Sequence, residues 1–222
     1  VIDEAQKIHR IGETLKLMID HMNHLNIIVT GSSSFELAGQ IGEPLTGRQT
    51  TLTLYPIAQL ELKQLYNKHE LQERLENYLR FGCYPEVITA NNEEEKKEII
   101  TEIAHAYLLK DILMLDSVKR PKQLLDLLRL LAFQIGKEVS LSELAQKLMI
   151  DVKTVSRYLD LLEKSFVIYN LRGFSRNLRN EMTKKGKYFF YDLGIRNALI
   201  ANFNSLKLRD DVGELLENFL FI

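Results

Sequence analysis

At 222 residues the chain is long enough for two small domains or pieces of three, and its 45% hydrophobic and 27% charged residues exclude a disordered protein. A formal net charge of -1 excludes a nucleic-acid partner held by the overall field, so any such affinity must come from a local patch. Cys83 is the single cysteine, which excludes an internal disulfide and fits a reducing cytoplasm, and no apolar run reaches the length of a membrane span.

Val1-Ile2-Asp3-Glu4 reads as the end of a buried strand closing on two carboxylates. A helix is predicted over 12–22, with Leu15, Met18, Ile19 and Met22 on one face. A second buried run, Ile27-Ile28-Val29-Thr30, closes on Gly31-Ser32-Ser33-Ser34, whose hydroxyls suit a helix N-cap at a terminus that also attracts phosphate. Gly39, Gly42, Pro44 and Gly47 mark a loop carrying Arg48, and 50–55 reads as a strand ended by Pro56. Strand-helix-strand order at this spacing argues for a parallel, doubly wound sheet.

In a nucleotide-hydrolysing fold of that kind, the first carboxylate at such a strand end holds Mg²⁺ and the next polarises the attacking water. A polar residue on the neighbouring strand touches the γ-phosphate. Arg48 is then either a guanidinium that stabilises phosphate charge or a surface arginine. The phosphate loop G-x-x-x-x-G-K-[ST], which should precede the Asp-Glu strand, is absent from the sequence. The start at Val1 and the apolar stretch from Leu215 to Ile222 make the chain read as a fragment cut at both ends, expected not to hydrolyse ATP by itself.

Over 58–118 the strand pattern gives way to helices, predicted at 58–66, 70–81 and 93–115 and broken by Gly82-Cys83-Tyr84-Pro85. That break is either a helix-ending turn or a nucleotide-facing turn in a helical lid, and Cys83 reads as a packed thiol. The acids at 93–95 suit the positive end of a helix.

Over 119–190 a helix from Pro121 to Gly136 presents Leu124, Leu127, Leu128 and Leu131 inward. A helix capped by Ser140 or Ser142 and ending at Leu148, the turn Met149-Ile150-Asp151, and a helix over 152–164 form a helix-turn-helix. Small Ala145 and Val155 permit a close crossing. Strands are predicted at 166–169 and 188–191, with the second block, Tyr188 to Tyr191, packing into the core. The second helix exposes Lys153, Thr154, Arg157 and Lys164 but also carries Asp151, Asp160 and Glu163. Behind it, Arg172, Arg176, Arg179, Lys184, Lys185 and Lys187 stand against one acid, Glu181. A basic hairpin behind a helix-turn-helix is what a winged helix presents to DNA, and it is equally a surface for packing between domains. The five histidines show no metal spacing.

Taken together, Val1-Ile2-Asp3-Glu4-Ala5-Gln6, Ile28-Val29-Thr30-Gly31-Ser32-Ser33 and Leu45-Thr46-Gly47-Arg48 with Pro56 resemble the second half of an AAA+ superfamily ATPase module. Within that superfamily the order of parts is similar to prokaryotic ATPases whose C-terminal region is a domain of unknown function. The Gly82-x-x-Pro85 turn resembles the lid motif of the STAND-type branch. Tyr191-Asp192-Leu193-Gly194-Ile195-Arg196-Asn197 and Gly213-Glu214-Leu215-Leu216-Glu217-Asn218 resemble the start of a restriction-endonuclease-like region.

The resemblance implies a mixed α/β, predominantly helical fold. Its parts are half of a P-loop core (1–57), a helical lid (58–118), a winged helix (119–190) and the start of a nuclease-like α/β region (191–222). It implies Asp3 as Mg²⁺ ligand, Glu4 as catalytic base, Ser32 as γ-phosphate sensor, and Arg48 as phosphate-charge sensor or arginine finger. Gly82 and Pro85 would face the nucleotide, and Glu217 would match the helix acid of nuclease-like domains. ATP and Mg²⁺ are the implied cofactors of the parent protein, with DNA or a protein as partner of the winged helix. Two rival readings stand beside it, a winged-helix regulator without catalysis and a nucleic-acid-processing enzyme acting through its C-terminal region.

Overall fold

The structure is a computed structural model that describes residues 1–5, 8–22, 24–31, 45, 47–106, 112, 118–172 and 186–222. It divides into two compact units, Val1–Leu54 and Tyr55–Ile222. No helix among the described residues is long and apolar enough to cross a membrane.

In the first unit, Ile2 and Val29 form a parallel bridge, with the Ile2 amide donating to Ile28 at 2.9 Å and the Thr30 amide to Ile2 at 2.9 Å. Helix α1 (Ile11–His21) covers one side, burying Ile11 and Leu15 beside Ala5 and Leu45. Ile2, Ile19, Ile27 and Val29 pack onto that cluster. The second hydrophobic run is buried on one face only, for Ile28 is 61% exposed. The cause is the period-two alternation of a strand, which turns Ile27 and Val29 one way and Ile28 the other. The strand expected at 50–55 does not form. Leu52 and Leu54 lie exposed, and β-propensity makes no strand where the described residues offer no ladder partner.

The second unit opens with four short helices: α2 (Gln59–Leu62), α3 (Lys68–Glu73), α4 (Leu75–Phe81) and α5 (Pro85–Thr89). The single helix expected over 70–81 is two, with α3 starting earlier at an Asn67 cap and the break falling at Arg74. The Asn67 side chain accepts from the His69 and Glu70 amides at 2.9 and 3.0 Å, while Glu70 reaches back to the Asn67 amide at 2.7 Å. Helix α6 (Glu93–Ala104) is capped by Asn92 with three acids in its first turn, as the charge pattern predicts. The rest of the expected 93–115 helix falls mostly outside the described residues.

Helix α7 (Pro121–Phe133) buries Leu124, Leu127, Leu128 and Leu131. Strand β1 (Glu138–Val139), α8 (Leu141–Leu148), α9 (Val152–Lys164), β2 (Ile168–Leu171) and β3 (Gly186–Phe190) follow. The strands form an antiparallel sheet of order β1-β3-β2, with Tyr169 opposite Phe189. Ser140 caps α8 and Asp151 caps α9, and Ala145 and Val155 are buried where the two helices pack. Tyr188, Phe189 and Phe190 are buried, while Tyr191 is half-buried with its ring stacked 5.4 Å from that of Tyr55.

Helix α10 (Leu193–Leu199) and α11 (Val212–Phe221) complete the unit. The amide of Asn218 takes the place of a strand partner for β3, accepting from the Phe190 amide at 2.7 Å and donating to the Phe190 carbonyl at 2.9 Å. One hydrophobic core runs through this unit, from Leu79, Phe81 and Ile100 through Leu128, Tyr158 and Phe190 to Leu193, Ile195 and Leu215. The segments read from the sequence as lid, winged helix and last region therefore share a single interior.

Candidate functional site

The two carboxylates of the first unit stand just past the isolated parallel bridge between Ile2 and Val29. The Thr30 hydroxyl donates to the Asp3 carboxylate, and the Glu4 amide lies 3.4 Å from the same hydroxyl oxygen. The Ala5 amide donates to the Thr30 carbonyl at 3.0 Å, closing the turn. Glu4 itself has φ 51, a left-handed conformation uncommon for a side-chain-bearing residue and enriched at active sites. Asp3 is exposed and offers a hard oxygen donor of the kind Mg²⁺ takes singly or in pairs, the remaining positions going to water and phosphate oxygens. No group of three or more His, Cys, Asp or Glu that could hold a metal ion gathers among the described residues.

Arg48 forms an ion pair with Asp20 of α1, in a turn set by Gly47 at φ 77. Asp20 and Thr30 are the two neighbours that sequence reasoning missed. A hydroxyl at the last position before Gly31 was the available signal for Thr30, and none marked Asp20. Ser32, assigned to the γ-phosphate, lies outside the described residues.

In the second unit the Gly82-x-x-Pro85 turn is fastened from behind by Asp192. Gly82 has φ 83, and a Cβ there would lie 2.1 Å from the Asp192 carboxylate. Asp192 accepts from the Cys83 amide at 2.7 Å and from the Ile195 amide at 3.0 Å. Burial pushes the Asp192 carboxyl up to about 6, against the lowering effect of the Cys83, Ile195 and Gly194 amides. Burial also raises the Cys83 thiol, which keeps it protonated and inert. Pro85 is exposed at the first position of α5.

The segment 191–197, read as the start of a separate region, is the polar fastening of this core. Asn197 donates to the Leu79 and Arg80 carbonyls at 2.9 and 2.8 Å and accepts from Arg196 and Arg209. Arg196, 2% exposed, donates to the Ala132 carbonyl at 2.8 Å and to Asp211 at 2.5 Å. Burial alone would raise Asp211, but hydrogen bonds from Arg209 and Arg196 outweigh it and hold the carboxyl at about 2.

The basic residues of α9 and the hairpin separate by their pairing. Lys164 binds Asp160 at 2.8 Å, and Lys187 binds Glu217 at 3.0 Å. Lys153 and Arg157 stand exposed one turn apart on α9, neither in an ion pair among the described residues. Arg172 is exposed at the end of β2 and interacts electrostatically with Glu163. Arg176, Arg179, Lys184 and Lys185 lie outside the described residues.

Residues 72–207, more than half of the chain, match the model of a domain of unknown function (DUF8612), and residues 1–63 match that of an AAA domain. The first segment is thus an AAA-type ATPase domain fragment. The chain is similar to an uncharacterized protein of Haemophilus influenzae, 28% identical over 231 residues, covering 100% of this chain and 56% of that protein. An uncharacterized protein of Methanocaldococcus jannaschii is 25% identical over 236 residues, covering 99% of this chain and 51% of its own. One of Mycobacterium tuberculosis is 26% identical over 201 residues, covering 90% and 44%. The chain spans about half the length of the curated relatives it matches. No solved structure matches it.

Proposed function

The chain belongs to the family defined by that domain of unknown function, and from the AAA-domain segment ahead of it we propose that it is the catalytic-carboxylate half of an ATPase whose nucleotide state is passed to a winged-helix module. The observation that carries this is the Asp3-Glu4 pair just past a parallel bridge of Ile2 with Val29, with the Thr30 hydroxyl on Asp3. Asp3 holds Mg²⁺ and Glu4 acts as base. Ser32 senses the γ-phosphate, and Arg48 exchanges Asp20 for phosphate charge. The Gly82-to-Pro85 turn faces the nucleotide as the lid motif of a STAND-like branch, and Glu217 belongs to a nuclease-like last region. The protein acts in the cytoplasm, and oligomerisation is part of the reading, since an arginine finger can serve a neighbouring subunit.

The test is ATP turnover by the full-length protein. Glu4→Gln lowers kcat by about 100-fold with ATP still bound, the usual size for a lost general base. Turnover unchanged in Glu4→Gln removes Glu4 as the base, and no turnover by the parent removes the catalytic reading and leaves a binding module.

The β1-β3-β2 sheet behind α8 and α9 supports the winged-helix reading, and Lys153 with Arg157 supports DNA as its partner. Two phosphate contacts contribute about 2 to the slope of log affinity against log salt. Replacing both residues by glutamine should flatten a measured slope by about that amount. A slope that does not move assigns the module to a protein partner.

A further inference from the structure

In the second unit, Arg74, Asn77, Tyr78 and Phe81 recur at three- and four-residue spacing and so share one face of α4 and its leading residue. Lys96 of α6 stands across from that face, and Gly82, Val87 and Ile88 close the end of a shallow, open cleft. The donors that line it are unmatched. The Tyr78 side chain is buried, 4% exposed, and its hydroxyl has no hydrogen-bond partner among the described residues. An unpaired buried hydroxyl is destabilising, so its retention points to a partner supplied from outside the chain. Arg74 lies over the Tyr66 ring at 4.2 Å, and neither Arg74 nor Lys96 is in an ion pair among the described residues.

The nearby acids do not fill the gap. Glu93 holds Arg80 with two bonds of 2.7 Å, and Glu76 lies 3.7 Å from the same guanidinium while accepting from the Leu206 amide. Lys96 sits below the ordinary lysine range, first through burial and then through the positive charge of Arg74, with Glu93 only partly offsetting them. Two cations therefore line one cleft, and the acid that offsets Lys96, Glu93, is already committed to Arg80.

We propose that this cleft binds a phosphate group, held between Arg74 and Lys96 with the Tyr78 hydroxyl as a third donor. A dianion matches two cations, and charge-assisted bonds from a guanidinium, an ammonium and a phenol satisfy several phosphate oxygens together. Asn77 adds an amide at the rim, and Phe81, Val87 and Ile88 give the cleft an apolar wall. The phosphate is either the free ion or the head of an ester whose carbon body lies on that wall.

Calorimetric titration of the 222-residue chain at fixed ionic strength tests this, with inorganic phosphate in one arm and phenyl phosphate in the other. One site per chain is expected, and Tyr78→Phe and Lys96→Gln each weaken it about tenfold. Tyr78→Phe keeps the ring, so thermal unfolding without phosphate stays the same or rises, which separates lost binding from lost folding. Tighter binding of phenyl phosphate identifies an ester as the ligand, and equal binding identifies the free ion. No binding of either at millimolar concentration, or affinity unchanged in both variants, overturns the proposal.

Discussion

Gly194→Ala lowers the stability of the second unit by at least about 3 kcal/mol, whereas Gly213→Ala leaves it unchanged or raises it by up to about 1 kcal/mol. A Cβ at Gly194 would meet the Phe81 carbonyl oxygen at 2.0 Å, its carbon at 2.5 Å and Ile100 Cγ1 at 2.7 Å. Two of those three atoms are backbone, so relief requires α10 to move away from α4 rather than a side chain to rotate. That movement strains everything α10 fastens: the Asn197 bonds to the Leu79 and Arg80 carbonyls, the Arg196 bond to Ala132, and the Asp192 bond to Cys83. At Gly213 a Cβ meets nothing within 4 Å, and the position lies in the first turn of α11, where alanine is the better helix former. Urea unfolding followed by circular dichroism compares the two variants. A Gly194→Ala midpoint within error of the parent would mean that α10 and α4 are not held this closely.

The contrast between these glycines shows which parts of the fold were legible in the sequence. Periodicity and caps located elements whose signals are local. Asp151 before Val152 and the apolar spacing of Val155, Tyr158, Leu159 and Leu162 define α9 as the sequence reading placed it. The two hydrophobic runs of the first unit were legible too, for the structure pairs Ile2 with Val29 in the parallel sense expected.

What escaped was set by partners distant along the chain. Nothing local to Tyr191-Asp192-Leu193-Gly194-Ile195-Arg196-Asn197 shows that its polar residues close onto carbonyls 117 and 118 positions earlier. The reading of this segment as the start of a restriction-endonuclease-like region rests on residue order, which carries no information about those contacts. The strand at 50–55 failed for the converse reason: its propensity was local and its ladder partner absent among the described residues. Lys164 and Lys187 show the same limit at the candidate basic surface. One is held by an acid a turn away and the other by Glu217, 30 residues on, so a count of basic residues overstated the charge open to phosphate.

Asp192 supplies the second large effect, on the pH dependence of stability. Its carboxyl moves from an ordinary 3.8 to about 6 in the folded chain because it is buried. Between about pH 4 and pH 6 the folded state keeps a proton that the unfolded chain has released. Raising the pH through this window therefore favours unfolding, and the loss is complete above about 6. A displacement of about two units corresponds to about 3 kcal/mol. Asp211 acts in the opposite sense in a lower window. Its carboxyl, held at about 2, adds stability that is present above about 4 and fades as the pH falls towards 2, so the two slopes do not overlap. Urea midpoints of the parent and of Asp192→Asn, measured at intervals from pH 4 to pH 7, isolate the upper window. The parent should lose stability across it and Asp192→Asn should be flatter by about 3 kcal/mol, whatever its absolute stability. That absolute value falls separately, because an amide nitrogen in place of Oδ2 would face the Cys83 amide donor to donor. Parallel pH profiles for the two proteins would show that Asp192 is not held away from water, and that the turn at Gly82 is fastened to α10 by packing alone.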